Sequence, residues 1–173
     1  DASSTDDGDG GEIVVWSDIT NTSSLTKVSG QLLAEGGVNG GHGGRIETSG
    51  STLDVDGIRV HVHSLEKWSS GEWLLDPFDY TIDSATAPTI ASVLSSGTNV
   101  TITTEVSSQL IGGTTDSISA DNPSDDSGGT ITVSSPIAVA SPGGGDLSLV
   151  ADKDIVVSAQ ISTSSGVEGG NLT

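Results

Sequence analysis

The stretch Gly10-Gly11-Glu12-Ile13-Val14-Val15-Trp16 joins a glycine pair to a short strand in which Ile13 and Val15 share one face. Variants of this unit return at residues 43–48, 128–133, 144–149 and 169–173, each opened by a glycine pair. Strands that recur at a spacing of about 20–30 residues cannot bury their apolar faces alone and have to stack on one another. The repeat therefore predicts an all-β chain built of stacked coils, a β-solenoid.

The composition favours strands and turns over helices. The chain has 173 residues, of which 24 are glycine, while aromatic residues make up only 3%. Hydrophobic residues, at 32%, are fewer than the roughly 45–50% that compact domains use with glycine counted. A narrow solenoid tolerates this low content because each coil contributes only a few inward side chains to a thin core.

The net charge of −19 limits the classes of partner. It argues against binding to nucleic acid and to anionic membrane surfaces, and it leaves many carboxylates free for cations. The absence of cysteine excludes a disulfide framework and a thiolate metal site. No apolar run reaches the roughly 18–20 residues of a membrane span, so membrane insertion is not expected. No signal peptide is recognised, and the chain is interpreted as a segment of a longer or processed polypeptide.

The pattern along the chain predicts two parts. Residues 1–10 are acidic and small and are predicted to form an arm or linker, whereas residues 11–173 form a single β-solenoid domain. Within it we expect motif-bearing coils at 11–85, one short helix at 86–97 and generic repeat coils at 98–173. The helix is indicated by the helical spacing of Ile90, Val93 and Leu94, with Pro88 in its first turn and Gly97 at its end.

Alternation also predicts which side chains face the core. At 58–63 the apolar residues are predicted to point inward and the others outward, the inward set being Ile58, Val60 and Val62 and the outward set Arg59, His61 and His63. At 155–161 the residues predicted to line the core are Ile155, Val157, Ala159 and Ile161. The glycine-rich stretch at 36–44 predicts positive φ angles or a very close backbone approach at a tight corner. A phosphate-binding loop is disfavoured there, since neither a helix pattern nor a lysine follows.

Four separated motifs resemble a known family. They are GEIVVWSD at 11–18, GQLLAEGG at 30–37, GGHGGRIETSG at 40–50 and WLLDPFDYTI at 73–82. In content and order they are similar to those of the filamentous-haemagglutinin family, large bacterial exoproteins exported by two-partner secretion. The resemblance implies a right-handed parallel β-helix that is secreted and is extracellular or displayed on the bacterial cell surface. It also implies an outer-membrane transporter as a partner of the full-length chain.

The resemblance favours a non-catalytic role in adhesion, aggregation or biofilm matrix, with a cell-surface glycan or receptor as partner. An alternative is a homopolymer, in which solenoid ends stack head-to-tail into an extracellular filament, because open strand edges invite pairing. A remote alternative is a polysaccharide-active β-helix enzyme that uses Asp76 and Asp79 as its two carboxylates. A structural role for these aspartates is preferred, with Leu74 and Leu75 in the core and Pro77 at a turn.

No cofactor is expected, although two kinds of metal site are weak candidates. His61 and His63 lie two residues apart on one strand face and are candidate Zn²⁺ ligands, with His42 or Glu66 as further ligands. Two acidic clusters are candidate Ca²⁺ sites, one formed by Asp6, Asp7 and Asp9 and the other by Asp121, Asp125 and Asp126. Solvated surface groups are the simpler interpretation of both.

The aromatic residues gather in the first half of the chain, at Trp16, Trp68, Trp73, Phe78 and Tyr80. An exposed subset would form a strip for a carbohydrate or protein partner. The preferred interpretation is that they cover the edge of the coils under the short helix.

Overall fold

The computed structural model describes residues 1–19, 21–64, 68–104, 129–140, 144–163 and 170–173, together with strands Gln109–Ile111 and Thr114–Asp116. It has one helix, α1 (Thr86–Ser95), within the described residues. The strands are β1 (Glu12–Trp16), β2 (Leu25–Lys27), β3 (Gln31–Leu33), β4 (Arg45–Gly50), β5 (Thr52–Asp54), β6 (Arg59–His61), β7 (Glu72–Pro77), β8 (Tyr80–Ile82), β9 (Asn99–Thr103), β10 (Gln109–Ile111), β11 (Thr114–Asp116), β12 (Ile131–Val133), β13 (Ile137–Ala138), β14 (Leu147–Val150), β15 (Ile155–Val157) and β16 (Ile161–Ser162).

The largest element is a five-stranded sheet in the order β1-β4-β7-β9-β14, in which every pair is parallel. Its register places one column of apolar residues side by side, namely Ile13, Ile46, Trp73, Val100 and Leu147. All of these except Ile13 are fully buried. The glycine-strand units at 10–16, 43–48 and 144–149 therefore supply β1, β4 and β14 to this sheet, whereas the unit at 128–133 supplies β12 to a different one.

The elements between these strands belong to other sheets. β2 pairs with β5, β3 with β6, β13 with β16, and β8, β12 and β15 form a three-stranded sheet, all in parallel. β10 and β11 form an antiparallel pair. The prediction of an all-β chain with one short helix is confirmed, and the sheets are predominantly parallel.

Helix α1 begins and ends close to the predicted limits. The carboxylate of Asp83 accepts hydrogen bonds from the backbone N–H groups of Ala85 (2.8 Å) and Thr86 (3.1 Å), and these bonds lower the pKa of Asp83. Gly97, at φ +86°, follows the helix and adopts the left-handed conformation that commonly terminates helices. Helix α1 contacts β6, β9 and β13, and it buries Ile90 and Leu94 against the core.

The predicted inward residues are confirmed in one stretch and wrong in another. Ile58, Val60 and Val62 are buried in the core. In β15, however, Ile155 is 47% exposed and Val157 is 54% exposed. Within the described residues β15 pairs only with β12, so nothing there covers its free edge. Ala159 and Ile161 pack against the core but are only partly buried.

The motif at 73–82 contains a second correction. Leu75 is fully buried in β7, as predicted, whereas Leu74 is only half-buried. Since neighbouring residues of a strand point to opposite faces, the two leucines cannot both enter the core. β7 ends at Pro77 and a bend follows it.

The glycine pairs lie where the backbones of neighbouring strands approach each other closely, at the residues just before each strand begins. A Cβ atom on Gly44 would lie 2.1 Å from the carbonyl oxygen of Gly11, and one on Gly71 would lie 2.0 Å from that of Gly44. The same clash recurs at Gly145 and Gly170. We call Gly11, Gly44, Gly71, Gly145 and Gly170 the glycine column. Within the 36–44 stretch, Gly41 has φ +139°, and a Cβ atom on Gly43 would lie 1.7 Å from the carbonyl oxygen of Val62. The prediction of positive φ angles or close backbone approach in this stretch is therefore confirmed.

Residues 1–10 lie against the body of the chain. The N–H groups of Ala2 and Ser4 donate to the carbonyl oxygens of Leu33 (2.7 Å) and Glu35 (3.0 Å). Further along, Gly10 donates to the carbonyl of His42 (2.8 Å). The acidic segment is therefore hydrogen-bonded along its length to 33–42, and the predicted division into an arm and a single domain stays a prediction.

Candidate functional site

A cluster of one carboxylate and two imidazoles lies where β3 and β6 end. Nδ1 of His63 is 3.0 Å from Oε1 of Glu35, and the rings of His61 and His63 meet edge-on with centroids 6.5 Å apart. One ligand atom of each of the three side chains lies within 4.8 Å of the other two. Glu35 and His61 are half-buried and His63 is exposed. These residues are the metal-ligand cluster (Glu35, His61 and His63).

The parallel pairing of β3 and β6 explains why these three side chains meet. Leu33 lies beside His61 in the register of β3 and β6. Parallel backbone pairing extends past the ends of both strands, since Ala34 N–H donates to His61 O (2.9 Å) and Gly36 N–H donates to His63 O (3.2 Å). Glu35 thus lies beside His63 on the face that His61 shares. The sequence predicted the two histidines but missed Glu35, which only the register of β3 against β6 would have identified.

The further ligands that the sequence suggested do not join this cluster. Nδ1 of His42 accepts a hydrogen bond from Ser69 N–H (3.1 Å), and its ring packs edge-on against Trp68 at 5.2 Å. His42 is outside the group whose ligand atoms converge. Glu66 lies outside the described residues.

The aspartates of the first acidic cluster hold the glycine-rich stretch. Asp6 accepts a hydrogen bond from the side-chain amide of Asn39, and Asp9 accepts one from the backbone N–H of His42 (2.7 Å). Asp6, Asp7 and Asp9 are exposed, and they are not among the described groups whose ligand atoms come within 4.8 Å. The second cluster, Asp121, Asp125 and Asp126, lies outside the described residues. Calcium binding by either cluster remains a prediction.

Asp76 and Asp79 have different environments. Asp76 is fully buried in β7, whereas Asp79 is exposed and accepts a hydrogen bond from Thr130 N–H (2.8 Å). Two carboxylates that act together on a polysaccharide have to face the same open site. The remote enzyme hypothesis therefore gains no support from these two residues.

A cavity of about 470 Å³ opens beside β5 and β8, which do not pair with each other. Its lining includes four aspartates, Asp54, Asp56, Asp79 and Asp83. Tyr80 also contributes to the lining and is itself 5% exposed. The arrangement is an acidic cleft beside two strands that belong to separate sheets.

Tyr80 is the least satisfied group of this cleft. Its hydroxyl is buried and has no hydrogen-bond partner among the described residues. Burial, and then the negative charges of Asp56, Asp83 and Asp54, raise the pKa of Tyr80 above its ordinary value of 10. The hydroxyl is therefore a neutral group at physiological pH.

The aromatic residues are divided between core and surface. Trp73 is fully buried in the five-stranded sheet, and its indole N–H donates to Oγ1 of Thr48 (3.1 Å). Trp16 and Trp68 are exposed. The prediction that all of them cover an edge under the helix is wrong for Trp73. In β7 this residue lies between Ile46 and Val100, in the column of apolar residues of the five-stranded sheet.

No protein-family model, curated protein or solved structure matches the chain. Helix α1, the one helix of the described residues, is not long and apolar enough to cross a membrane.

Proposed function

We propose that the chain is a non-catalytic, structural segment of a secreted bacterial surface exoprotein, built as a right-handed parallel β-solenoid. The parallel order β1-β4-β7-β9-β14 carries this proposal, because strands distant in sequence line up in register with strands of other parallel sheets between them. Crossovers between parallel strands of one sheet are right-handed in about 98% of cases, which supports the handedness.

The role proposed for this segment is adhesion, aggregation or formation of a biofilm matrix. Its support is the motif resemblance to filamentous-haemagglutinin-like exoproteins, together with the acidic surface and thin core of the chain. On this proposal the full-length protein crosses the outer membrane through a dedicated transporter, and a glycan or receptor on another cell is the partner.

Display on the surface of a non-aggregating bacterium tests this role. Cells that carry the wild-type chain are expected to sediment faster and to retain more biomass on a surface than cells that carry Gly71→Val. That substitution places a side chain 2.0 Å from a carbonyl oxygen and should prevent stacking. Equal behaviour at equal display levels would contradict the proposal. Release of reducing ends from polysaccharides that is lost in Asp79→Asn would instead support the enzyme.

Head-to-tail self-assembly is the second candidate, and one observation favours it. All three residues of β15 are exposed, and Ile155, Val156 and Val157 together present an apolar strand at a sheet edge. Such an edge pairs readily with a strand of a second copy. Sedimentation velocity at increasing concentration should then show oligomers that Val156→Lys abolishes. A monomer at all concentrations would exclude the filament.

A further inference from the structure

We propose that Glu35, His61 and His63 bind one divalent transition metal ion, and that Zn²⁺ is the ion that fits best. The site is independent of the proposed structural role, since it depends only on three outward side chains at the ends of β3 and β6. His63 is exposed, so water can reach the cluster and serve as a fourth ligand.

The distances suit a small ion. Two donors bound to a tetrahedral Zn²⁺ at about 2.0–2.1 Å lie about 3.3 Å apart. His63 Nδ1 and Glu35 Oε1 are already 3.0 Å apart, and no pair in the cluster exceeds 4.8 Å. On this proposal, rotation of the side chains brings donors that now lie within 4.8 Å of one another to the spacing of a bound ion.

The donor set selects the ion. Two imidazole nitrogens and one carboxylate oxygen form a set that Zn²⁺ uses with an open fourth position. Ca²⁺ and Mg²⁺ prefer six or more oxygen ligands and have little affinity for imidazole. A chain with a net charge of −19 also attracts cations in general. Selectivity for Zn²⁺ over Ca²⁺ therefore distinguishes specific binding at the cluster from non-specific attraction of cations to the acidic surface.

The backbone under the cluster is held in place before any ion binds. Glu35 N–H donates to Oγ of Ser3 (3.0 Å), and its carbonyl accepts from Ser4 N–H (3.0 Å). The neighbours of Glu35 in sequence donate to the carbonyls of His61 and His63. Ligands fixed on paired strands lose little conformational entropy on binding, which favours affinity.

Isothermal titration of the untagged, chelator-treated chain with ZnCl₂ tests the proposal. We expect saturable binding of one ion, a rise in the melting temperature with Zn²⁺, and no competition by excess CaCl₂. His61→Ala and His63→Ala should each weaken binding by more than about 100-fold, and Glu35→Gln by at least about tenfold. Co²⁺ in the same site should give the visible absorption bands of a tetrahedral ion in the wild type but not in His61→Ala or His63→Ala.

His42→Asn is the matched control, since it removes the third histidine of the chain while an amide oxygen can still accept from Ser69 N–H. It should bind Zn²⁺ like the wild type. Absence of one-to-one binding, binding that survives in His61→Ala and His63→Ala, or equal loss in His42→Asn would each overturn the site. Circular dichroism of the metal-free variants shows whether they fold. If a histidine variant does not fold, Zn²⁺ binding by Glu35→Gln decides whether the site exists.

Discussion

Arg45 connects an exposed carboxylate with a buried one. Its guanidinium lies 2.9 Å from Oε1 of Glu12 on β1 and 3.0 Å from Oε2 of Glu47 on its own strand. Glu47 is only 2% exposed, and Oγ of Ser49 donates to its other oxygen (2.8 Å). A carboxylate so far removed from water needs a compensating charge.

Arg45→Ala is therefore expected to destabilise the fold by about 2–4 kcal/mol, because it leaves the Glu47 carboxylate without its cation. Glu12→Gln should cost at most about 1 kcal/mol, since Glu12 is half-exposed. Urea denaturation measures both. Adding Glu47→Gln to Arg45→Ala should recover part of the loss, and a double variant no more stable than Arg45→Ala would contradict this account.

Tyr80 predicts an alkaline limit to stability. Because its pKa is raised in the folded chain, the unfolded chain loses the proton first as the pH rises above about 10. Stability should then fall by about 1.4 kcal/mol for each pH unit above 10. Tyr80→Phe should remove this fall and be neutral or slightly stabilising at pH 7, because the hydroxyl has no partner among the described residues.

The measurement is direct because Tyr80 is the only tyrosine of the chain. Its ultraviolet ionisation signal should appear only as the protein unfolds. A reversible titration near pH 10 in the folded state would show that the hydroxyl is solvated.

At the scale of elements, the glycine column sets how closely neighbouring strands approach. Gly71 has no room for a Cβ, whereas Gly30, at φ +93°, has nothing within 4 Å of that position. Gly71→Ala is expected to cost more than about 3 kcal/mol, because backbone has to move. Gly30→Ala should cost only about 1–2 kcal/mol for its left-handed conformation. Equal costs in denaturation experiments would mean that close approach is not what selects glycine.

The elements also show where sequence patterns succeed and fail. Helix α1 was predictable from the spacing of its apolar residues and from Pro88 and Gly97, all of which act locally. The alternation in 58–63 was predictive for the same reason. In β15 the same alternation misled, since Ile155 and Val157 have no described neighbour to cover them.

For the molecule as a whole, the sheet order predicts a gradient of protection against hydrogen exchange. The strands β4, β7 and β9 have a partner on each side, and each contributes fully buried residues to the core. Their amides should exchange slowest, while those of β15, at a sheet edge, should exchange many-fold faster. Exchange followed by mass spectrometry measures this gradient. Uniform protection across both sets would contradict an effect of this strand order.

The sequence by itself determined the strand-rich class, the glycine-opened repeat, the helix and the outward row of His61 and His63, because periodicity and turn chemistry are local properties. Only the tertiary structure decided that Glu35 joins those histidines, that Glu47 is buried beside Arg45, and that β5 and β8 separate around an acidic cleft. Those facts depend on which strands pair and in what register. The local sequence around a residue does not indicate which distant strand pairs with it, so pattern alone could not predict them.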